Sequence, residues 1–430
     1  MQNGKIRVMV FPAEGNNAAE IHAALATCVN IEVFGVSSTE RHGKFVFENY
    51  YSEMPSISDN DFLHKLNEYI DENNIDLIFP THDTVVKHLT GMARNIHCRL
   101  TVPDIYTAEI TRSKIKTWEL FADKDFVPKR YHGNESPFFP LFAKPDEGQG
   151  AKGAQTITDI KQLELIDAQD FLITEYLPGR EFTVDCFTDK DGKLRFVSAR
   201  TRERLRAGVT DRGSVIGSNP IIDSIAEEIN SRLKFTGLWY FQLKEDKNNN
   251  LKLMEISARC AGTMCLSRAQ GVNLPLLTVY AALGYETEIL PNPYNVTLDR
   301  GLINCYQVNY KYDKVYLDFD DTVTLRGKIN LSVMRYIYQC ANQSKKVFLL
   351  TKHADNILQT LDKLHISQGL FSEILHISPT DSKAKVIKQK GPADSIFIDN
   401  MFKERQEVAK ECHIPVFDVD QIEVLQDYRF

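Results

Sequence analysis

Apolar and polar positions along the chain fall into blocks with two different grammars. In the first hundred residues, apolar runs at Ile6–Phe11, Ile31–Val36 and Ile75–Phe79 are separated by helical stretches at Ala18–Cys28 and Phe62–Glu72. That alternation predicts a parallel, doubly wound sheet. From about Thr107 the pattern changes. A helix over Ser113–Asp125 precedes runs at Phe138–Lys144, Phe171–Tyr176, Thr183–Thr188, Leu194–Ala199, Leu238–Leu243 and Leu251–Ile256. Asp191-Gly192 between two of these is a hairpin signal, so antiparallel strands and an α+β domain are expected. From Val315 the strand–helix alternation returns, with strands at Val315–Leu317, Val347–Leu350, Ser395–Ile398 and Val416–Phe417. The expected fold class is α/β and α+β multidomain, with domains over 1–107, 108–308 and 309–430.

The first turn, Pro12 to Asn17, lacks G-x-G-x-x-G, which disfavours a dinucleotide site there. It reads as a turn that starts a helix or as a loop lining a substrate. The longest apolar run, Leu274–Leu283, is too short to cross a membrane and fits a core helix. The N-terminus shows no secretory pattern.

Composition narrows the classes. With 51 lysines and arginines against 58 aspartates and glutamates, the formal net charge is −7. No global positive field attracts nucleic acid or an anionic membrane. The 43% hydrophobic and 25% charged fractions exclude a wholly disordered chain. None of the eight cysteines forms a C-x-x-C pair or has zinc-ligand spacing, which suits reduced thiols in a cytoplasmic protein.

In the middle block, a strand ends in Lys144 and runs into a loop carrying Gly148, Gly150 and Gly153. Glycines let backbone N–H groups turn toward an anion and a fixed lysine adds charge, which is what a triphosphate needs. A mobile surface hairpin is the plainer reading of the loop alone. It is followed by Glu175-Tyr176-Leu177-Pro178-Gly179-Arg180-Glu181, then Gln242, then Glu255-Ile256-Ser257-Ala258-Arg259. This order resembles the ATP-grasp carboxylate–amine ligases, in particular the carbamoyl-phosphate synthetase and biotin carboxylase group. The resemblance covers roughly residues 1–300, with the first domain similar to that group's N-terminal substrate domain.

The resemblance implies roles position by position. Lys114 and Lys144 match the phosphate-contacting lysines, and Gly148, Gly150 and Gly153 the flexible loop over the phosphates. Glu175, Tyr176 and Leu177 match the hinge that meets the adenine. Glu181 matches the acid on the ribose hydroxyls. Gln242 and Glu255 match magnesium ligands, Gln242 standing where an acid is commoner. Ser257 stands where the family usually has asparagine, a further metal ligand. Arg259 matches the arginine near the γ-phosphate and the acyl-phosphate. Four arginines, Arg200, Arg202, Arg204 and Arg206, read either as a solvated strand edge or as a site for an anionic substrate.

In the last block, Val315–Leu317 runs into Asp318-Phe319-Asp320. Two aspartates two apart at a strand's carboxyl end can serve as nucleophile and proton donor, and together can bind magnesium. Thr351 ends the next strand, Lys383 opens a helix, and Ser395–Ile398 leads into Asp399-Asn400. These four motifs resemble the haloacid-dehalogenase (HAD) superfamily over about residues 313–420. By that resemblance Asp318 is the nucleophile, Asp320 the acid/base, Thr351 and Lys383 the phosphate holders, and Asp318, Asp320 and Asp399 the metal site. Asn400 replaces a frequent second aspartate, and Lys385 is the alternative to Lys383. About 30 residues separate Asp318 from Thr351, and Thr351 from Lys383. Neither gap holds a cap domain, so a capless, Rossmann-like HAD domain with an open site is expected.

The expectation is a bifunctional cytoplasmic enzyme using ATP and Mg2+, with Mn2+ as the alternative ion. One site joins a carboxylate to an amine through an acyl-phosphate. The other removes phosphate from a related metabolite. The partners are small molecules, with neither nucleic acid nor membrane, and the resemblance implies a homodimer. The competing readings are a small-metabolite kinase and a nucleotide-binding scaffold with an inert HAD tail.

Overall fold

The computed structural model describes residues 5–133, 136–148, 152–206, 208–301 and 304–426. The chain divides into two compact units. One comprises Met1–His22, Ile31–Leu266 and Asn273–Ile289, the other Ala23–Asn30, Ser267–Val272 and Leu290–Phe430.

In the first unit, β1 (Ile6–Phe11), β2 (Ile31–Val36), β3 (Asn49–Tyr51), β4 (Leu77–Pro80) and β5 (Arg99–Leu100) form a parallel sheet in the order β3-β2-β1-β4-β5. β1 and β4 are near-continuous buried apolar runs, as expected of parallel strands covered on both faces. The helix Phe62–Asn73 shows the amphipathic spacing directly, burying Phe62, Leu66 and Ile70. It ends at Asn74, whose φ of 48° closes the last turn.

The rest of this unit is antiparallel. β6 (Leu141–Pro145) lies between β7 (Gln155–Ile157) and β8 (Phe171–Glu175). β9 (Glu181–Thr188) and β10 (Leu194–Thr201) pair across the Asp191-Gly192 turn. β11 (Arg204–Arg206) and β12 (Val209–Ser214) make a short hairpin. β13 (Gly237–Glu245) and β14 (Leu251–Ser257) complete a sheet in the order β10-β9-β13-β14. Its core centres on Trp239, which stacks on Phe235 at 4.3 Å and donates its indole N–H to Thr188 Oγ1 at 2.9 Å. Trp239→Ala empties the largest fully buried side chain of the protein. It is expected to cost about 3–5 kcal/mol, read as a lower urea midpoint.

In the second unit, β15 (Val296–Arg300) pairs with β16 (Asn304–Val308). β17 (Lys314–Leu317) is the centre of a five-stranded parallel sheet. A tight turn over Phe319–Val323 and a hairpin of β18 (Thr324–Leu325) and β19 (Lys328–Ile329) follow it. With β20 (Lys346–Thr351), β21 (Glu373–His376), β22 (Ser395–Ile398) and β23 (Val416–Phe417), the order is β21-β20-β17-β22-β23. Among the described residues, no helix is long and apolar enough to cross a membrane.

Two expected helices differ from those observed. The first begins at Gly15 rather than Ala18, because Gly15 at φ 72° turns the chain into it early. The helix expected over Ser113–Asp125 runs only over Lys114–Leu120, behind a separate helix at Ile105–Arg112. Ser113 is extended, and its hydroxyl accepts from Lys116 N–H, so it stops one helix and caps the next.

Two candidate active sites

The first site is built on the β13–β14 pair. Antiparallel register sets Gln242 directly opposite Glu255 and Tyr240 opposite Ser257. Gln242 and Glu255 open onto a cavity of about 180 Å3 whose other walls include Lys114, Lys144, Lys152 and Glu181. Its donor set is two side-chain oxygens beside several cations. That fits Mg2+ shared with phosphate oxygens, since this ion takes few protein ligands when a nucleotide supplies the rest.

The cations are held by backbone. Lys114 Nζ donates to the carbonyls of Asp146 and Gly148 at 3.2 and 2.9 Å, bracing the start of the glycine loop. Ser113 anchors the same loop by donating to Asp146 Oδ1 at 2.8 Å. Lys144 Nζ donates to Met254 O at 2.7 Å, one residue before Glu255. Burial, and then the neighbouring Lys114 charge, push the Lys144 ammonium down to about 8. Glu181 accepts from Lys244 at 2.8 Å and from Arg202 at 3.2 Å. Its burial raises the carboxyl pKa, but these two cations outweigh that and hold it below the usual range. Gly153 adopts φ 77°, and a Cβ there would meet Pro145 at 2.9 Å, so the loop needs glycine at that position. Gly148 is in the cavity wall, whereas Gly150 lies outside the described residues.

The hinge candidates lie at the end of β8. Glu175 Oε1 accepts from Lys129 N–H at 2.8 Å, Tyr176 is partly exposed, and Leu177 is buried. None of the three lines the cavity of Lys144, so the structure leaves the hinge outside that cluster.

A second, smaller cavity of about 50 Å3 shares Lys114, Gly148 and Glu255 with the first. It is closed by Tyr240, Ser257, Arg259 and a residue the sequence did not single out, Asp83. Asp83 stands just past the carboxyl end of β4, where open α/β sheets bind ligands. It accepts from Ser257 Oγ at 2.6 Å and from Arg259 Nη2 at 2.7 Å. Burial raises the Asp83 carboxyl, but Arg259 outweighs it and the group sits below its ordinary value. Arg259 Nε is buried with no hydrogen-bond partner among the described residues. Ser257, expected as a metal-site oxygen, therefore spends its hydroxyl proton on Asp83.

The arginine run does not form one cluster, and Arg200 is not on a solvated edge. Arg200 is buried against Asp185 and donates to Thr263 Oγ1 at 2.9 Å. Arg202 reaches Glu181, while Arg204 and Arg206 lie 2.7 and 3.7 Å from Asp211. A buried arginine requires a counter-charge, and the four divide among three acids, Asp185, Glu181 and Asp211. A groove of about 1260 Å3 around the helix Pro220–Arg232 contains none of the candidate residues.

The second site crowns the parallel sheet of the other unit. Asp318, Thr351 and Asp399 stand at or just past the carboxyl ends of β17, β20 and β22. Lys383, first residue of the helix Lys383–Lys390, places Nζ 2.5 Å from Asp318 Oδ1 and 2.6 Å from Asp399 Oδ2. Lys385, the alternative, is two residues further along the same helix and exposed. Asp399 is held further by Met401 N–H at 2.7 Å, and its carbonyl by Arg405 at 2.6 Å. Burial, then the Asp399 charge, push the Asp318 carboxyl up to about 7. Two buried carboxylates on one lysine leave a net negative charge, which suits a divalent cation. Asn400 N–H donates to Thr322 Oγ1 at 3.2 Å. Asp320 is more exposed and meets His353, which the sequence reading had passed over.

The first unit carries the fold of the ATP-grasp enzymes, whose cofactors are ATP and Mg2+. Residues 167–299 match the model of a family described as ATP-grasp in the biosynthetic pathway with Ter operon. Solved structures agree in fold. The biotin carboxylase domain of Hydrogenobacter thermophilus 2-oxoglutarate carboxylase, in complex with MgADP, ADP and bicarbonate, is similar at TM-score 0.57 and 14% identity, over 68% of this chain and 74% of that one. N5-carboxyaminoimidazole synthetase from Staphylococcus aureus, complexed with ADP, is similar at TM-score 0.57 and 16% identity, over 70% and 83%. L-amino acid ligase from Bacillus licheniformis is similar at TM-score 0.56 and 17% identity, over 70% and 80%. No curated protein matches the chain.

Proposed function

We propose that the first site is an ATP- and Mg2+-dependent carboxylate–amine ligase and the second a Mg2+-dependent phosphatase, in domains spanning 1–107, 108–308 and 309–430. The ligase reading rests on the register that sets Gln242 beside Glu255 at the wall of a cavity lined by Lys114 and Lys144. The triphosphate would lie against these lysines, and Gln242 and Glu255 would hold Mg2+, whose charge would offset that of the phosphates during transfer. The adjoining smaller cavity takes the acceptor carboxylate, with Arg259 Nε facing the transferred phosphoryl group. A carboxylate oxygen attacks the γ-phosphorus, ADP leaves, and the amine then displaces phosphate from the acyl-phosphate.

The phosphatase reading rests on Lys383 bridging Asp318 and Asp399. Asp318 attacks phosphorus, the ester P–O bond breaks, and Asp320 gives the leaving oxygen its proton. Water then hydrolyses the aspartyl phosphate. Bound Mg2+ would offset the charge that gathers on Asp318, Asp399 and the phosphoryl oxygens.

The deciding experiment incubates Asp318→Asn protein with MgATP and a metabolite extract, following ADP and new masses. A mass equal to two metabolites less water, formed with ADP, establishes ligation. A phosphate on that product which wild type removes shows the two sites working in sequence. ADP with a singly phosphorylated metabolite and no condensed product replaces the ligase with a kinase.

Lys144 supplies a separate check. Its ammonium is depressed to about 8 in the free protein, and a polyphosphate raises it again. Nucleotide binding should therefore take up a proton near pH 8. MgADP affinity should fall by up to about tenfold per pH unit above that point. Calorimetry in buffers of different ionisation heat measures the uptake, which Lys144→Met should remove.

A further inference from the structure

We propose that His353 is a positioning residue that holds the Asp320 carboxyl group on line with the ester oxygen it protonates. The inference rests on the phosphatase reading of that site. Asp320 has little else to hold it. Its side chain is 53% exposed, on a turn where the next residue, Asp321, takes φ 52°. A carboxylate in that setting samples several rotamers, and a proton donor is useful only within hydrogen-bond reach of its target.

His353, by contrast, is fixed at every polar atom. Its backbone N–H donates to Thr351 Oγ1 at 3.1 Å, and its carbonyl faces His376 Nε2 at 2.7 Å. The ring lies edge-on to Phe319 at 5.2 Å, and Nε2 meets Thr360 Oγ1 at 3.0 Å. Nδ1 is then 2.9 and 3.0 Å from the two oxygens of Asp320. The protonated carboxyl that an acid needs still has a carbonyl oxygen to accept from Nδ1–H, which leaves its own O–H for the ester. His353 thus ties Asp320, through its ring, to Thr351, through its backbone N–H, and Thr351 is itself a candidate phosphate holder. Pre-set geometry of this kind raises the rate of a proton transfer without adding a contact to the substrate.

A positioning role for the acid has a signature that a packing role lacks, which is dependence on the leaving group. The full-length protein is assayed with Mg2+ on p-nitrophenyl phosphate and phenyl phosphate, which are close in shape but differ in leaving-group basicity. kcat/KM reports ester cleavage, the step that needs the acid. His353→Leu is expected to lower it about 100-fold for phenyl phosphate, the size of a general-acid effect, and less than about tenfold for p-nitrophenyl phosphate. His353→Asn, whose amide can donate in place of Nδ1, should recover at least half of the loss on a logarithmic scale. If the leucine variant fails to fold, Thr360→Val removes the ring's second anchor and should show the same selective loss, smaller in size. Equal losses on both esters, or no rescue by asparagine, overturn the proposal, as does a gain in turnover, which would mean that His353 parks Asp320 away from the site. Wild type inactive on both esters with Asp318→Asn indistinguishable from it would overturn the phosphatase reading, and this inference with it. Wild type active and His353→Leu unchanged would overturn the inference alone.

Discussion

Asp318→Asn is expected to lower ester hydrolysis by on the order of 10^4-fold or more, since an amide oxygen does not replace a nucleophilic carboxylate. The same substitution should not destabilise the protein at pH 8. Asp318 and Asp399 share one ammonium, at 2.5 and 2.6 Å from Lys383. Burial and Asp399 push Asp318 up to about 7, which means that its ionised form is strained in the folded protein without metal. The sign follows from linkage. A carboxyl raised on folding favours the folded state when protonated and disfavours it once ionised. At pH 8 wild-type Asp318 is charged, so the neutral asparagine relieves repulsion from Asp399. Between about pH 7 and the ordinary carboxyl range, wild type takes up its proton and the advantage of the variant shrinks. Melting temperature against pH in EDTA tests this. A variant that melts well below wild type at pH 8 would show that the Asp318–Lys383 contact outweighs the repulsion.

This pairing of lost activity with retained stability is typical of a group placed for chemistry, and such groups are also where sequence is most readable. Strands β1, β2, β22 and β23 coincide with the apolar runs read from the sequence, because buried parallel strands are apolar on both faces. Asp318, Thr351 and Asp399 follow strand ends directly, so locating the strands located them. Gln242 and Glu255 became neighbours through hairpin register across a short polar loop, which is again local. Asp83 was out of reach for the opposite reason. It meets Ser257 and Arg259 from 174 and 176 residues away, and nothing near it in the sequence marks that meeting. His353 was passed over because it is a satellite of Thr351, two residues on, whose importance lies in what its ring touches. The arginine run misled for a related reason, since spacing along a strand does not say which acid each guanidinium will find.

Arg259→Ala is expected to lower ADP formation by roughly 10^3-fold, the lower range for an arginine that stabilises phosphoryl transfer. The difficulty is that Arg259 also neutralises Asp83. The pair is mostly buried, with 14% and 19% of the two side chains exposed, and deleting one partner leaves the other's charge uncompensated. That costs about 3–5 kcal/mol for a fully buried pair and less here. A loss of activity alone would therefore be ambiguous between chemistry and folding. The double variant Asp83→Asn/Arg259→Ala separates them. Asparagine keeps an oxygen for Ser257, whose hydroxyl donates to Asp83 at 2.6 Å, and removes the stranded charge. The double variant should regain most of the melting temperature lost by Arg259→Ala yet remain about 10^3-fold slow. The single variant Asp83→Asn leaves the guanidinium in place but unanchored, and should lose kcat with little change in KM for ATP. Rates are read as ADP release with the substrate pair found in the extract experiment, beside thermal melts of all four proteins. If the double variant recovers activity along with stability, Arg259 serves the fold, and the phosphoryl group must be met by Lys114 and Lys144 instead.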